Sequence, residues 1–420
     1  MSENKSNSNL LAELLVAEDL EYNLPSAASI VTEKSSKVFF FDKNSYSDTS
    51  DRMIITLNTG ADFINGRNSY LTFNLKVPST ATSLHFGCGS AANIFREILI
   101  TSRDGSEIER IRDLNVLTAL KARWMNAQDS INNIHSQSGY NADQDVTGYT
   151  PVEWTPLIKA GYDFVIPMRD LSALFDCDKL LPSFLMSGLR LQFVFEKPET
   201  AILGDDQPVT AYTVSNPVMR LETIKLSDSV MNQLTQNAAN SGLVIPIDTY
   251  DLTRDTTSGT NQVNIEVRRN VSQVLGVIVK SRLTDEIANA TKDSMGSETF
   301  TVASYRFRLG SQFVPSSSVD KQTEMYSLAQ IAFNKFHQTA AENCVSLRSY
   351  LGGAGVPYKM GLVATDLERS AVDLSGVSIS NSKVLAYEAT MNGDSDRTHN
   401  IWIQFTRALT IYLTSVLVED

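Results

Sequence analysis

Cysteine, long apolar runs and leader-like segments are scarce or missing in this sequence of 420 residues. Cysteine occurs three times, at Cys88, Cys177 and Cys344, and an odd number of distant cysteines does not indicate a disulfide framework. We expect these thiols to be buried in a reducing compartment. No stretch approaches the roughly 18 consecutive apolar residues that a transmembrane helix needs. The polar residues 1–9 do not resemble a secretory signal.

An excess of positive charge is missing as well. The formal net charge is -12 at pH 7 and the pI is about 4.9, whereas proteins that bind nucleic acid normally carry a basic patch. We therefore expect no sequence-specific nucleic acid binding. With 42% hydrophobic and 20% charged residues the composition is that of a globular protein, and the length favours two domains.

Catalytic and metal-binding patterns are not found in the sequence. His85 and Cys88 have metal-like spacing, but no second pair with such spacing accompanies them, and the other histidines are dispersed. Two stretches, 87–89 and 352–355, are rich in glycine, but neither continues as a phosphate-binding loop. The carboxylates Asp104, Glu107 and Glu109 lie beside a turn and a helix start, where capping and the helix dipole explain them. The sequence predicts no catalytic residue, no metal site and no cofactor, and hence no enzyme.

Short alternating strands are the main feature that is present. Leu71, Phe73 and Leu75 alternate with polar residues, which is typical of a half-buried strand. Such strands, separated by Gly, Pro and Asn, indicate an all-β sandwich or jelly roll. The other strands are predicted at 38–41, 53–57, 94–101, 162–166, 189–196, 218–226, 243–250, 263–269, 274–281, 300–309, 400–405 and 408–418.

A few segments predict helices or loops. The apolar spacing from 107 to 124 predicts one amphipathic helix after a tight turn, and 323–337 predicts another. Residues 10–20 predict a short acidic helix, which either packs on its own domain or docks as an arm on a neighbouring subunit. The polar segment 126–160 predicts a long surface loop.

Strand, glycine turn and helix follow one another twice in the chain, which supports an internal duplication, although the low identity leaves chance similarity open. We expect an N-terminal arm at 1–34, a first jelly roll at 35–220 and a second at 221–420; the strand at 219–226 fits either half. In the second half, Arg306 and Arg308 alternate on one strand face, which is either simply exposed or a subunit contact.

Four motifs, in this order, carry a family resemblance. They are Phe-Ile-Asn-Gly-Arg-Asn-Ser-Tyr-Leu-Thr-Phe-Asn-Leu at 63–75, Ser-Arg-Asp-Gly-Ser-Glu-Ile-Glu-Arg at 102–110, Tyr-Arg-Phe-Arg-Leu-Gly-Ser at 305–311 with Pro315, and Thr-Asp-Leu-Glu-Arg at 365–369. The chain thereby resembles the double-jelly-roll major capsid proteins of polinton-like viruses and virophages.

The resemblance implies a structural protein with two tandem jelly rolls and no catalytic residues. Its copies would form a homotrimer that looks six-sided and tiles an icosahedral shell in the virion, assembled inside the host cell. Its partners would be neighbouring capsomers, a penton protein and minor or cement proteins. The segments 126–160 and 251–262 would be loops that face outward or lock neighbouring subunits.

Two rival functions remain at this point. A viral spike or a carbohydrate-binding or receptor-binding β-protein would be expected to cluster exposed aromatic residues, whereas Trp124, Trp154 and Trp402 are scattered along the chain. An enzyme on a jelly-roll scaffold would be expected to show a histidine cluster, which the sequence does not contain.

Overall fold

Two consecutive groups of antiparallel strands build the protein. The computed structural model describes residues 31–47, 51–126, 135–140, 154–204, 206–287, 289, 292–293, 300–333, 345–352, 360–368, 376–379 and 383–420. The helix expected at 10–20 lies outside these residues. Within them, no helix is long and apolar enough to cross a membrane.

The first group forms two facing sheets, one of five strands and one of four, which we call the first sandwich. One sheet has the order β1-β11-β4-β8, with β2 also on β11, and the other has the order β3-β9-β6-β7. β5 and β10 form an additional pair. The strands are β1 (Val31–Phe40), β2 (Ser45–Ser47), β3 (Arg52–Leu57), β4 (Phe63–Lys76), β5 (Leu84–His85), β6 (Phe95–Thr101), β7 (Glu107–Arg112), β8 (Tyr162–Pro167), β9 (Leu189–Phe195), β10 (Leu203–Gly204) and β11 (Thr213–Leu226).

The second group repeats this arrangement as the second sandwich. Its sheets have the orders β12-β20-β14-β17, with β18 on β14 and β21 on β20, and β13-β19-β15-β16. The strands are β12 (Leu243–Thr257), β13 (Gln262–Val267), β14 (Val271–Leu283), β15 (Val302–Leu309), β16 (Gln312–Val319), β17 (Val363–Asp366), β18 (Val377–Ile379), β19 (Leu385–Met391), β20 (Arg397–Ile411) and β21 (Val416–Glu419).

Both sandwiches have the same connectivity. If only the eight principal strands of each are numbered along the chain, one sheet reads 1-8-3-6 and the other 2-7-4-5 in both halves. Two sheets built in this way from eight antiparallel strands are the topology of a jelly roll. The expected all-β fold with two tandem sandwiches is confirmed.

Alternating side chains close each core. In the first sandwich, Leu71 and Leu75 are fully buried on β4. The ring of Phe73, on the same strand face, packs edge-on against Phe95 of the opposite sheet at 5.7 Å between centroids. Phe95 in turn lies 5.0 Å from Phe193 of β9. These strands were predicted from apolar side chains at every second residue. The same alternation places those side chains in the core, where the sheets bury apolar area.

The pairing pattern changes between β11 and β12. β11 runs across the boundary expected after residue 220, and its partners are β1, β2 and β4 of the first sandwich. The strand at 219–226, which the sequence left between the two halves, is therefore paired within the first. The chain then passes through a helix at 228–240 into the second sandwich.

Short helices connect or cover the strands. Two 3₁₀ turns occur at Ala91–Ile94 and His135–Ser138. The α-helices are α1 (Leu114–Met125), α2 (Trp154–Ala160), α3 (Met168–Leu171), α4 (Ala173–Asp176), α5 (Ser183–Met186), α6 (Pro198–Ala201), α7 (Asp228–Asn240), α8 (Thr284–Ile287), α9 (Gln322–Ala332) and α10 (Leu347–Leu351).

The helix predicted at 107–124 is wrong in its first third. Residues 107–112 are strand β7, which pairs with β6 through a hairpin, and Ile98 faces Ile111 across the pair. Asp113, with φ of 46°, then turns the chain into α1. The hydrogen bonds and core contacts offered by β6 outweigh the helical spacing of the isoleucines, because strand preference depends on the tertiary partner.

Three further expectations need correction. Residues 312–319, which follow the turn at Gly310, form strand β16 ahead of α9, where the sequence suggested a turn leading into a helix. The loop expected at 126–160 contains α2, whose Trp154 and Ile158 are buried in the core; residues 127–134 and 141–153 lie outside the described part. Most of the loop expected at 251–262 is strand, because β12 continues to Thr257 along β20.

Candidate assembly surfaces

The two sandwiches meet along a polar and aromatic seam inside the chain. From the first sandwich the seam contains β7 and α1, and from the second it contains β12 and β20. The Thr249 hydroxyl donates a hydrogen bond of 2.7 Å to the Glu109 carboxylate. Arg407 donates from Nη1 to the carbonyl oxygen of Ile108 at 2.7 Å. These contacts join β7 directly to both strands of the second sandwich.

Glu109 has further partners within the first sandwich. The Ser172 hydroxyl donates to it, and so does the Ala173 amide at 3.0 Å. Glu109 is fully buried, and a buried carboxylate is tolerated when several donors satisfy it. The expected capping role is thus found, but at α4 and not at a helix that begins with residue 107.

Asp113 forms the second polar contact of the seam. Its carboxylate accepts a hydrogen bond from the side-chain amide of Asn400 and lies 3.3 Å from the Arg254 guanidinium. Asn400 Oδ1 in turn accepts a hydrogen bond of 3.1 Å from Arg282. Burial lowers the pKa of Arg282 to about 10, while the nearby Asp113 charge opposes that change. Arg282 nevertheless remains a cation at neutral pH, and its positive charge is complementary to the Asp113 carboxylate.

An aromatic cluster closes the seam at the end of α1. Trp124 is fully buried and stacks on Phe333, with centroids 5.3 Å apart and planes at 18°. It also packs edge-on against Tyr350 at 6.0 Å and lies 6.1 Å from Tyr326. All three partners belong to the second sandwich. The aromatic rings add packing to the hydrogen bonds and make the sandwiches one continuous apolar core.

Asp104 and Glu107, the other two carboxylates near the turn, also have structural partners. Asp104 Oδ2 accepts a hydrogen bond of 3.1 Å from the amide of Val416 in the second sandwich. Burial raises the pKa of Asp104, but hydrogen bonds from Ser102, Ser106 and Val416 outweigh it and lower the pKa to about 2. Glu107 lies 3.6 Å from Arg110 on the surface of β7. These groups fix a turn and a strand.

The three described histidines, His85, His135 and His399, do not converge. His85 accepts a hydrogen bond from the Gly87 amide at Nδ1, and His135 lies 3.6 Å from Asp170. His399 is fully buried between the hydroxyls of Thr257 and Ser281, at 2.9 and 2.8 Å. Burial and the charge of Arg397 lower the pKa of His399 to about 4. His337 lies outside the described residues.

No group of three or more His, Cys, Asp or Glu side chains among the described residues could hold a metal ion. Cys88 is buried as expected, and burial raises the pKa of its thiol well above the usual value. Cys177 is partly exposed and also free. Cys344 lies outside the described residues.

Arg306 and Arg308 lie on the polar face of β15, as the alternation predicted. Both bind Glu388 of β19, at 2.8 and 3.1 Å, and the Arg306 guanidinium covers the ring of Phe313 at 4.0 Å. These contacts lie within the second sandwich. Each arginine remains partly exposed, so the surface around Glu388 is a polar, internally paired strand face.

Part of one sheet face of the first sandwich has no cover among the described residues. β1 is an edge strand that pairs with β11 and has no buried residue along its length. Phe40 is 71% exposed and Val38 39% exposed. Large exposed apolar side chains on a strand edge indicate an interaction surface.

Comparisons with known proteins identify the fold. No family model and no curated protein matches this sequence. The structure is similar to the Faustovirus major capsid protein, with a TM-score of 0.61 at 8% identity, covering 95% of this chain and 94% of that one. This chain is a double jelly roll.

Two other solved structures agree with the double jelly roll. A quasi-atomic model of the PBCV-1 virus capsid matches with a TM-score of 0.60 at 10% identity, over 96% of this chain and 99% of that one. A cryo-EM structure of the Sputnik virophage matches with 0.60 at 13% identity, over 96% and 91%. At such identities the likeness is one of fold, and it extends over nearly the whole of this chain.

Proposed function

We propose that this double jelly roll is a viral major capsid protein, a building block of an icosahedral shell. The observation that carries the proposal is the repeated strand order, 1-8-3-6 and 2-7-4-5 in both halves, in a chain that is similar over nearly its whole length to structures from virus capsids. On this proposal its residues serve assembly and not catalysis, and its location is the virion.

The assembly unit we propose is a homotrimer. Two similar sandwiches per chain give three chains six similar sides, which suits packing in a lattice of six-sided tiles. The further partners would be neighbouring capsomers, a penton protein at the vertices and minor or cement proteins. This proposal uses an arm at 1–34 and jelly rolls at 35–220 and 221–420. Strand pairing that stays within each half supports the two jelly rolls, with β1 beginning already at Val31 and the boundary between the halves shifted into α7.

The buried tryptophans favour this proposal over a carbohydrate-binding or receptor-binding protein. Trp124, Trp154 and Trp402 are 0%, 3% and 0% exposed. Sugar recognition by stacking needs an exposed aromatic face, and none of the three offers one. Their place in the cores and in the seam is the role expected in a structural subunit.

The proposal is tested by purifying the chain and measuring its mass in solution. Three copies of the 46.3 kDa chain give about 139 kDa, and negative-stain microscopy should show six-sided particles. A chain that stays monomeric at high concentration, with no six-sided particles, would contradict the proposal. Binding to a glycan array by the monomer would favour the rival function instead.

A further inference from the structure

The dipeptide Asn-Gly occurs in the sequence at 65–66 and at 392–393. It is reactive because glycine has no Cβ, so its backbone nitrogen is open to approach by the side chain of the preceding asparagine. Attack by this nitrogen on the side chain converts the amide into an acid without any enzyme. The asparagine side chain and the next peptide group must turn towards each other, so the local structure decides which of the two dipeptides reacts.

The first dipeptide is held in a sheet. Asn65 lies in β4, where it pairs in register with Glu222 of β11. Its side-chain amide donates a hydrogen bond of 2.8 Å to the Glu222 carboxylate. Gly66 is buried, and a Cβ added to it would lie 2.6 Å from the carbonyl oxygen of Phe175. The peptide group between Asn65 and Gly66 is therefore fixed by strand pairing and by close packing.

The second dipeptide lies in the loop 392–396, which leads from β19 in one sheet of the second sandwich to β20 in the other. Every residue of this loop is exposed. Gly393 has φ of 96°, and no atom of a described residue other than its chain neighbours lies within 4 Å of the place that a Cβ would take. The peptide group between Asn392 and Gly393 is therefore not packed against the sandwich.

The loop is nevertheless bonded to the sandwich at its far end. The Arg397 guanidinium, which is 3% exposed, donates hydrogen bonds of 3.2 Å to the carbonyl oxygens of Gly393 and Ser395. The Asp396 carboxylate accepts a hydrogen bond of 2.6 Å from the Ser258 hydroxyl. A change in the loop backbone therefore reaches a buried cation and the turn after β12.

We propose that Asn392 is a site of spontaneous deamidation and isoaspartate formation in the folded protein, and that β4 protects Asn65 from the same reaction. The proposal is independent of the capsid function, because it uses only the local chemistry and structure of the two dipeptides. A failure of one therefore leaves the other in place.

The reaction begins at the Gly393 backbone nitrogen. This nitrogen loses its proton and forms a bond with the side-chain carbonyl carbon of Asn392, while the bond from that carbon to the amide nitrogen breaks and ammonia leaves. Water then adds to the cyclic succinimide. Opening at one carbonyl gives aspartate, and opening at the other gives isoaspartate, in which the main chain runs through the former side chain. The reaction consumes water, releases ammonia and involves no change of oxidation state.

The two products differ in their effect on the loop. Both add a negative charge close to Asp394 and Asp396, but only isoaspartate lengthens the backbone. The additional main-chain carbon shifts the carbonyl oxygen of Gly393 relative to Arg397, and a buried guanidinium depends on its acceptors. We therefore expect isoaspartate to destabilise the second sandwich, whereas aspartate at this exposed position should have little effect.

Ageing of the purified full chain at mildly alkaline pH tests the site. Samples are digested at intervals, mass spectrometry measures the conversion of amide to acid in each asparagine peptide, and an isoaspartate methyltransferase assay detects isoaspartate. Asn392 should convert at least about a thousandfold faster than Asn65, because a core strand opens only at a large fraction of the global unfolding free energy. Equal rates at these two residues in the folded protein would overturn the proposal.

Asn270 is the matched control for exposure. It is exposed as Asn392 is, but Val271 follows it, and the branched side chain of valine hinders access to its backbone nitrogen. Asn270 should therefore convert more slowly than Asn392. If Asn270 converts as fast as Asn392, exposure alone sets the rate and the Asn-Gly site has no special role.

Denaturation separates the effect of the fold from that of the sequence. In concentrated guanidinium chloride β4 is unfolded, so Asn65 should convert about as fast as Asn392. If Asn65 stays slow in the unfolded chain, its protection does not come from the sheet, and that half of the proposal is wrong.

Two variants test the effect on stability. Asn392→Gln removes the site, because glutamine would have to form a larger ring, and its urea midpoint should stay constant on ageing. Asn392→Asp has the charge of the product with the native backbone and should match the unaged wild type. Ion exchange isolates the isoaspartate fraction of the aged wild type, which should unfold at a lower urea concentration than Asn392→Asp. Equal midpoints for that fraction and Asn392→Asp would refute the proposed effect on Arg397.

Discussion

The hydroxyl of Thr249 donates a hydrogen bond of 2.7 Å to the carboxylate of Glu109, although the two residues are 140 positions apart in the chain. The same carboxylate accepts from the Ser172 hydroxyl and from the amides of Ala173 and Leu174. One buried anion therefore holds β7, the start of α4 and β12 of the other sandwich. Its four donors compensate the desolvation of the charge.

Replacing this anion by the isosteric amide should destabilise the protein. In Glu109→Gln only one acceptor oxygen remains, and the new amide hydrogens face donors, so at least one buried donor loses its partner. We expect a loss of about 1–3 kcal/mol in the free energy of unfolding, measured by urea denaturation.

Glu107→Gln is the matched control for this measurement. Glu107 is two residues away on the exposed side of β7, where its ion pair with Arg110 contributes little. We expect a change within about 0.5 kcal/mol. Equal losses for both variants would show that Glu109 does not hold the seam.

Removing the indole of Trp124 should weaken the seam through packing. Trp124 is fully buried against Tyr326, Phe333 and Tyr350, and Trp124→Ala leaves a cavity among them. Such substitutions cost about 3–5 kcal/mol. The thermal unfolding midpoint should fall markedly for this variant.

The neighbouring residue supplies the control for that variant. Met125 ends the same helix but is 38% exposed, so Met125→Ala should shift the midpoint far less. If Trp124→Ala and Met125→Ala shift it equally, the aromatic cluster is not a principal contact between the sandwiches.

Local periodicity was sufficient to predict most strands and not the seam. Leu71, Phe73 and Leu75 alternate in sequence because their sheet has one face in the core and one outside, so the pattern and its cause are local. Glu109 offered no such signal. Its partners come from α4 and from β12, and the sequence contains no information on which distant donors surround a carboxylate.

The two strands whose segments were predicted as helix or turn occupy the same place in both sandwiches. β7 and β16 are each the fifth principal strand, and each directly precedes a helix. Ile108 and Ile111 have helical spacing because β7 has a bulge in its pairing with β6, which shifts the alternation by one residue. In β16, Pro315 suggested a turn, but β16 is an edge strand, where proline is tolerated.

Protonation of His399 should destabilise the fold in acid. Its pKa in the folded protein is lowered to about 4, chiefly by burial, while the ordinary histidine pKa is about 6.5. The folded state therefore favours the neutral ring. This stabilising contribution is fully present above pH 6.5 and is lost as the pH falls from 6.5 towards 4, by up to roughly 3 kcal/mol.

The variant His399→Gln isolates this contribution. Glutamine can still bond to the hydroxyls of Thr257 and Ser281 but does not titrate. Urea midpoints of the wild type should fall more steeply than those of the variant between pH 6.5 and 4.5. If the midpoints of the wild type and the variant fall equally steeply, the loss of stability in acid arises from groups other than His399.

Deletion of residues 1–24 should separate folding from shell formation. The deletion removes no residue of either sandwich, because β1 begins at Val31 and lies at a sheet edge. We expect truncated trimers with an unchanged unfolding midpoint and impaired assembly into shells, seen by electron microscopy.

If the helix at 10–20 acts as an arm, Leu11→Asp together with Leu15→Asp on its apolar side should reproduce the defect, whereas Glu13→Gln should not. A truncated chain that fails to fold would show that the helix packs on its own domain, since loss of a docking arm leaves both cores intact.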